Sequence, residues 1–248
     1  MKFFKNVSSI CQREIGAYFY SPMAYVVLFL FMLTNGILFT YFCYGHASDP
    51  RQIPLVVERL FGMALIWMLP LSPLLTMRLF SEEKRTGTIE MLMTAPVRER
   101  EVVLGKFFAA QGFYMFIWLS IMPLMSILAI LGSLDWGPVL AVYIGLFSLG
   151  LLTNSLGLLA SAATRNQLIS AIIALTGNLV FMMASMGYAY FRDDPESMRF
   201  LHYLSYTAHF NVDYMRGIVD LRYIFYYASF AALFLFFCTR VVEARKWQ

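Results

Sequence analysis

Long stretches without a charged side chain constrain this sequence more than any other feature. Residues 23–44, for example, contain no Asp, Glu, Lys or Arg. Roughly 20 apolar residues of helix cross the core of a bilayer, where a helix satisfies its own backbone polar groups. Because 60% of the 248 residues are hydrophobic and 14% charged, little remains for a separate water-soluble domain. The sequence therefore predicts an all-α membrane protein with one transmembrane domain over residues 1–248.

Six apolar runs are long enough to cross a membrane. The predicted transmembrane segments are residues 23–44, 60–78, 106–131, 139–163, 168–191 and 223–240. Pro70 and Pro73 remove backbone donors from the second segment and should kink it, and Pro123 lies inside the third. The turn between the third and fourth segments is so short that these two helices should be antiparallel neighbours.

Residues 1–21 precede the first segment and show two opposed faces at helical spacing, one polar and partly basic, the other apolar. This pattern predicts an amphipathic helix that lies on the membrane surface and turns its basic side towards anionic headgroups. A surface helix packed on another part of the protein is the alternative.

The distribution of basic residues predicts the orientation. Six crossings put both termini on one side, and 13 of the 19 Lys and Arg residues fall on that side, against six on the other. Cytoplasmic loops carry the excess of Lys and Arg, so both termini should be cytoplasmic. No charged residue lies near the middle of a segment, which disfavours a proton relay, a cation pump or a voltage sensor. The scatter of the basic residues over short segments also gives no indication of nucleic-acid binding.

Three Asn residues, Asn35, Asn154 and Asn178, lie within the first, fourth and fifth segments. A buried amide without a partner is costly, so each should form an interhelical hydrogen bond or face a hydrated pathway. The fourth segment also contains Gly157 and Ser161, four residues apart, as expected for a closely packed helix face.

The segment between the second and third crossings, residues 80–104, is the most informative part of the chain. Glu82, Glu83, Lys84 and Arg85 form a charged cluster, and Gly87 permits a sharp turn. After this turn, Thr88 could cap a short helix with apolar residues, which Pro96 would end. Such a helix could dock in a groove of a cytoplasmic partner. A solvated connecting loop is the alternative.

This region carries a specific resemblance. The run Phe80–Val97, FSEEKRTGTIEMLMTAPV, followed by Leu104-Gly-Lys106, resembles the coupling-helix region of ABC-2 type transporter permeases. Two further stretches, Gly157–Ser161 with Asn166-Gln167 and His209–Arg222, are similar to the same family. The last of them resembles the branch of the gliding-motility-associated permeases.

The resemblance implies a permease that pairs with a second permease chain, identical or homologous, and with two copies of an ABC ATPase subunit. The exporter would lie in the bacterial inner membrane, in contact with membrane lipid. ATP and Mg would bind the ATPase, and no cofactor would bind this chain. The chain has no GxxxxGK[ST] run, since Gly105-Lys106 is followed by Phe107. The residues that would transmit the movement of the ATPase are Glu82, Glu83, Arg85, Gly87, Thr88, Glu90, Leu92 and Pro96.

Residues 192–222 are too polar to cross the membrane and too long for a simple turn. The resemblance implies short re-entrant helices that form an outer gate. The gate residues would be His209, Asp213, Arg216, Asp220 and Arg222, the last four through local ion pairs. His202, His209 and Asp213 could share a helical face and bind a metal, but the spacing is wide and we predict no metal site.

Two other functions remain as alternatives. An intramembrane hydrolase needs a buried nucleophile or metal, and neither HExxH nor GxSxG occurs. A non-transporting scaffold or mechanical component of an envelope complex, driven by the same ATPase, is compatible with every feature above.

Overall fold

The computed structural model describes residues 2–46, 52–88, 97–132, 134–190 and 204–244. All regular secondary structure in these ranges is helical. The α-helices are α1 (Lys2–Tyr20), α2 (Pro22–His46), α3 (Ile53–Ala64), α4 (Met68–Thr76), α5 (Arg78–Thr86), α6 (Glu99–Leu119), α7 (Met122–Leu131), α8 (Trp136–Ala163), α9 (Gln167–Tyr190), α10 (Tyr206–Val212) and α11 (Leu221–Ala244). Single 3₁₀ turns occupy Leu65–Trp67 and Tyr214–Arg216.

Within the described ranges, six helical stretches are long and apolar enough to cross a membrane. They are Pro22–Gly45, Ile53–Thr86, Glu99–Leu131, Trp136–Ala163, Gln167–Ala184 and Leu221–Ala244. The predicted fold class, an all-helical chain with six membrane-spanning helices, is confirmed at this level.

The second span is longer than the sequence indicated, because it begins at Ile53 instead of residue 60 and continues through Thr86. It is built from α3, a 3₁₀ turn, α4 and α5. Pro73 lies inside α4, and α5 begins after Met77, whose amide still bonds to the Pro73 carbonyl at 2.9 Å. The charged cluster of residues 82–85 therefore belongs to a helix and not to a connecting loop.

The third span also begins earlier, at Glu99 instead of residue 106, and is interrupted once. The Glu101 carboxylate accepts a hydrogen bond from the Arg98 amide at 3.1 Å and so caps the start of α6. The interruption lies at Ser120 and Ile121, just before Pro123, which has no amide hydrogen to continue the ladder of α6.

Helix α8 forms the centre of the bundle and packs against α4, α5, α6, α9 and α11. Its contact with α4 is very close, because a Cβ atom added at Gly157 would lie 2.1 Å from Thr76 Oγ1. The absence of a side chain at Gly157 thus lets the two helices approach, as the small-residue pattern predicted. By contrast, only 22% of the residues in the most apolar stretch of α2, and likewise of α11, are buried. Both helices therefore leave broad apolar surfaces for lipid or another chain.

Helix α1 packs along α6 through residues at i, i+4 spacing. Asn6 Nδ2 donates to Glu101 Oε2 at 2.9 Å, Ile10 lies against Gly105, and the Tyr18 ring stacks on Phe113 at 4.8 Å. The opposite face, with Lys2, Lys5 and Arg13, is exposed. One face of α1 therefore packs on this chain, and its place at the membrane surface stays a prediction.

Candidate functional site: the junction of α1, α5 and α6

Helix α5 is held against the end of α8 by two polar side chains. The Ser161 hydroxyl accepts hydrogen bonds from the amides of Phe80 and Ser81, at 3.0 and 3.1 Å, and donates to the Met77 carbonyl at 3.0 Å. These amides lie in the first turn of α5, where a helix has no internal acceptors. On the next turn, Lys84 Nζ donates to the Ala162 carbonyl. These bonds join α5 to α8, the central helix of the bundle.

Lys106 joins three helices through one buried ammonium group. Its Nζ donates to Glu83 Oε1 on α5 at 2.7 Å, to Glu14 Oε1 on α1 at 3.1 Å and to the Leu79 carbonyl at 2.9 Å. The Lys106 side chain is only 1% exposed. All three of its N–H donors therefore have acceptors, as the burial of an ammonium group requires.

The carboxylate of Glu14 is held in its charged form by this arrangement. Burial alone would raise the pKa of Glu14, but the positive charges of Lys106 and Arg13 outweigh it and bring the pKa below its usual value. The Arg13 guanidinium contacts Glu14 Oε1 at 2.9 Å and reaches Glu83 Oε1 at 4.0 Å. The junction thus alternates positive and negative side chains at one end of the bundle.

Tyr18 and Arg78 fasten the corner between α1 and α2 to the second span. The Tyr18 hydroxyl donates to the Leu75 carbonyl at 2.7 Å, and burial raises its pKa. The Arg78 guanidinium lies over the Tyr18 ring, 4.9 Å from its centroid, and donates to Ser21 Oγ at 2.6 Å. Between these groups lies a cavity of about 280 Å³, lined by Glu14, Ala17, Tyr18, Arg78, Leu79, Glu82, Glu83 and Lys106.

The residues assigned by resemblance to coupling are distributed unequally around this junction. Glu83 lies inside it, Glu82 lines the cavity, and Arg85, Gly87 and Thr88 are exposed at the end of α5. Gly87 has φ 75°, a left-handed conformation that ends the helix and that other residues rarely adopt. Glu90, Leu92 and Pro96 lie outside the described residues.

The three Asn residues within the spans have different surroundings, although all are buried. Asn154 Nδ2 donates across helices to Gln111 Oε1 at 2.9 Å. Asn35 Nδ2 bonds at 2.8 Å to the Phe31 carbonyl of its own helix, so the preferred interhelical bond does not form there among the described residues. The side-chain amide of Asn178 has no hydrogen-bond partner in the described part of the chain.

At the opposite end of the bundle, His209 of α10 packs against the start of α11. Its ring stacks on Tyr223 at 4.0 Å, and Nδ1 lies 3.2 Å from the Tyr227 hydroxyl. The Asp220 carboxylate accepts a bond from the Arg222 amide at 2.8 Å and so caps α11. No ion pair joins Asp213, Arg216, Asp220 and Arg222 within residues 204–244, in contrast to the local pairs that we expected.

The described residues include no group of three His, Cys, Asp or Glu side chains that could hold a metal. His202, one of the three residues weighed for a metal site, lies outside them.

Sequence reasoning missed Glu14, Ser161 and Lys106 as members of the junction. Ser161 was interpreted as a packing residue, and Lys106 as the end of a motif. A signal did exist in α1, where Asn6, Ile10, Glu14 and Tyr18 recur every four residues and so mark one face. Their partners, far apart in the chain, could not be read from this spacing.

The fold and this junction define a multi-pass helical membrane protein with a charged contact region at one end of its bundle. Its family follows from comparison with known proteins. The family model of the ABC-2 family transporter protein matches residues 9–239, and the chain belongs to this family. Membership indicates the permease component of an ABC transporter. No curated protein matches the chain.

Proposed function

We propose that the chain is the permease subunit of an ABC exporter, which couples ATP hydrolysis by a separate ATPase subunit to movement of a substrate across the bacterial inner membrane. Both termini would be cytoplasmic. The transporter would contain two ATPase copies, which bind ATP and Mg, and a second permease chain, identical or homologous. The finer resemblance to the gliding-motility-associated branch stays a prediction.

The observation that carries this proposal is the position of Glu83. It lies on α5, within the run Phe80–Val97 that resembles a coupling-helix region, and its carboxylate bonds to the buried ammonium of Lys106 on α6 at 2.7 Å. A push on the segment after Gly87 would reach α6 through this ion pair and α8 through Ser161. The chain has no phosphate-binding loop of its own, so the force would come from the partner.

The first experiment asks for the partner. The tagged permease is expressed in its native host, purified in mild detergent and examined by mass spectrometry, and a protein with a Walker motif should accompany it. Recovery of the permease without any nucleotide-hydrolysing protein would contradict the proposal.

The second experiment separates transport from mechanical or scaffold work, the alternative function. The complex is reconstituted in liposomes, and we expect ATP-dependent movement of an amphiphilic substrate. ATP hydrolysis without vectorial transport would favour the scaffold.

A double variant tests the coupling assignment. Glu83→Ala breaks the bond to Lys106, and Gly87→Pro forbids the positive φ that ends α5. Together they should leave membrane insertion and ATP hydrolysis intact but abolish most transport. Glu243→Ala, which removes only an ion pair to Arg240 within the described residues, is the matched control. Wild-type transport by the double variant would refute the assignment.

A further inference from the structure

The cavity between α1, α5 and α6 contains two charges that the junction leaves without ionic partners. Lys106 is saturated by Glu14, Glu83 and a carbonyl. Arg78 and Glu82 also line the cavity, and neither forms an ion pair with any described residue. The bond to Ser21 uses one of the five N–H donors of the Arg78 guanidinium. The cavity therefore offers one cation and one anion to a ligand.

The spacing of these two groups indicates the ligand's shape. Arg78 and Glu82 are four residues apart on α5, so they share a helix face and are offset by about 6 Å along the axis. A ligand that engages both must carry an anionic and a cationic group joined by a short linker. The planar guanidinium of Arg can bind a phosphate or a carboxylate through two parallel N–H···O bonds.

The surroundings indicate the depth of the cavity in the membrane. Its residues lie where the apolar part of the second span gives way to charged side chains. Tyr20 and Tyr25, at the nearby corner between α1 and α2, are 91% and 57% exposed. Exposed tyrosines of a membrane protein concentrate at the level of the lipid headgroups. A phospholipid headgroup is therefore the zwitterion that can reach this site.

We propose that the cavity binds the phosphoethanolamine headgroup of a membrane phospholipid, with its phosphate on Arg78 and its ammonium on Glu82. The volume of about 280 Å³ suits a headgroup, since pockets for drug-sized molecules measure roughly 300–1,000 Å³. The carboxylates of Glu14, Glu82 and Glu83 disfavour a headgroup with a net negative charge. The trimethylammonium of phosphatidylcholine has no N–H to donate to Glu82. Under the proposed orientation, the lipid belongs to the cytoplasmic leaflet.

Native mass spectrometry of the detergent-solubilised protein tests this assignment. The protein is mixed with equal amounts of phosphatidylethanolamine, phosphatidylcholine and phosphatidylglycerol that carry the same acyl chains. The wild type should bind phosphatidylethanolamine up to roughly tenfold better than phosphatidylcholine, the value of one hydrogen bond to a charged group. Glu82→Gln should remove this preference, and Arg78→Gln should weaken the binding of both lipids.

The control is Arg85→Gln, which removes an exposed charge on the same helix outside the cavity and should bind the three lipids as the wild type does. Arg78 also holds Tyr18 and Ser21, so its variant could loosen the junction. The Glu82 side chain makes no contact of that kind among the described residues, and Glu82→Gln keeps the test independent of folding.

Equal binding of the two zwitterionic lipids by the wild type would overturn the proposal, as would a preference that persists in Glu82→Gln. Soluble glycerophosphoethanolamine provides the second arm, measured by thermal unfolding. If it stabilised the protein as much as the lipid does, the lipid assignment would be overturned. Neither arm uses an ATPase or transport, so a negative result here leaves the proposed function unaffected.

Discussion

Lys106 holds the junction together at the cost of burying a charge. Removing a buried ammonium leaves its carboxylate partners buried without that compensating charge. This destabilises a protein more than replacing the whole ion pair by apolar side chains does. We expect Lys106→Met to lower the free energy of unfolding by about 3 kcal/mol, because Glu14 and Glu83 would then lose the buried cation that they share and keep only the exposed Arg13. Denaturant unfolding of the detergent-solubilised protein measures the loss.

Arg100→Met is the matched control, because Arg100 is exposed on the same helix. Its effect should stay within about 0.5 kcal/mol, as is usual for surface substitutions. Adding Glu83→Gln to Lys106→Met should restore part of the lost stability. If the Lys106 and Arg100 variants had the same free energy of unfolding, the ion cluster would not contribute to stability.

The ionisation of Glu14 gives the junction a pH dependence of known sign. The pKa of Glu14 is lower in the folded protein than its usual value of 4.5. The stabilisation is therefore complete above that value and is lost as the pH falls through the folded pKa. The melting temperature of the wild type should drop between about pH 5 and about pH 3 more steeply than that of Glu14→Gln. Parallel curves for the two proteins would contradict this assignment.

At the level of elements, the packing of α4 on α8 depends on the missing side chain at Gly157. An added methyl group would lie 2.1 Å from Thr76 Oγ1, so Gly157→Ala must push the helices apart. We expect a loss of about 1–3 kcal/mol, typical of overpacking, measured as denaturant unfolding.

Gly36→Ala in α2 is the control for Gly157→Ala, because nothing lies within 4 Å of the position of its Cβ. Alanine is the better helix former, so this variant should gain up to about 1 kcal/mol. If Gly36→Ala destabilised the protein and Gly157→Ala did not, the packing that we describe would be contradicted.

The elements themselves could be predicted because each depends on local sequence. The apolar run of α2 is visible without any knowledge of its neighbours. The extension of the second span to Thr86 could not be predicted from the apolar run, which ends before the charged residues of α5. Glu, Lys and Arg are good helix formers, but only the folded protein shows that Ser161 and Ala162 of α8 supply partners for Phe80, Ser81 and Lys84.

The same limit applies to the candidate site. The charges of Glu82 and Glu83 marked the region in the sequence, whereas the ion cluster joins residues 14, 83 and 106, which are far apart in the chain. Charge alone does not indicate which carboxylate will meet a buried ammonium. For that reason Glu83, inside the junction, and Glu82, at its rim, could be distinguished only in the folded protein.

At the scale of the whole molecule, α8 connects two chemically different ends. Ser161, near its end, bonds to α5 beside the charged junction, while the Gly145 region packs against Tyr214 in the 3₁₀ turn before α11. Between these ends the spans are apolar, and the ion pairs found among the described residues lie near the ends of the spans and not in their middle. The proposed function predicts that the junction faces the cytoplasm, where an ATPase subunit could reach it.

Cysteine labelling tests that orientation. In a protein with Cys11, Cys43 and Cys238 replaced by alanine, a single cysteine is introduced at Thr86, the exposed last residue of α5, or at Ile218, which is 53% exposed near the start of α11. The excess of basic residues on the side of the junction predicts that Thr86 lies in the cytoplasm and Ile218 outside. A membrane-impermeant maleimide added to spheroplasts should therefore label Ile218→Cys and spare Thr86→Cys, and permeabilised cells should label both. Labelling of Thr86→Cys alone in intact spheroplasts would show the opposite orientation, in which no cytoplasmic ATPase could reach the junction.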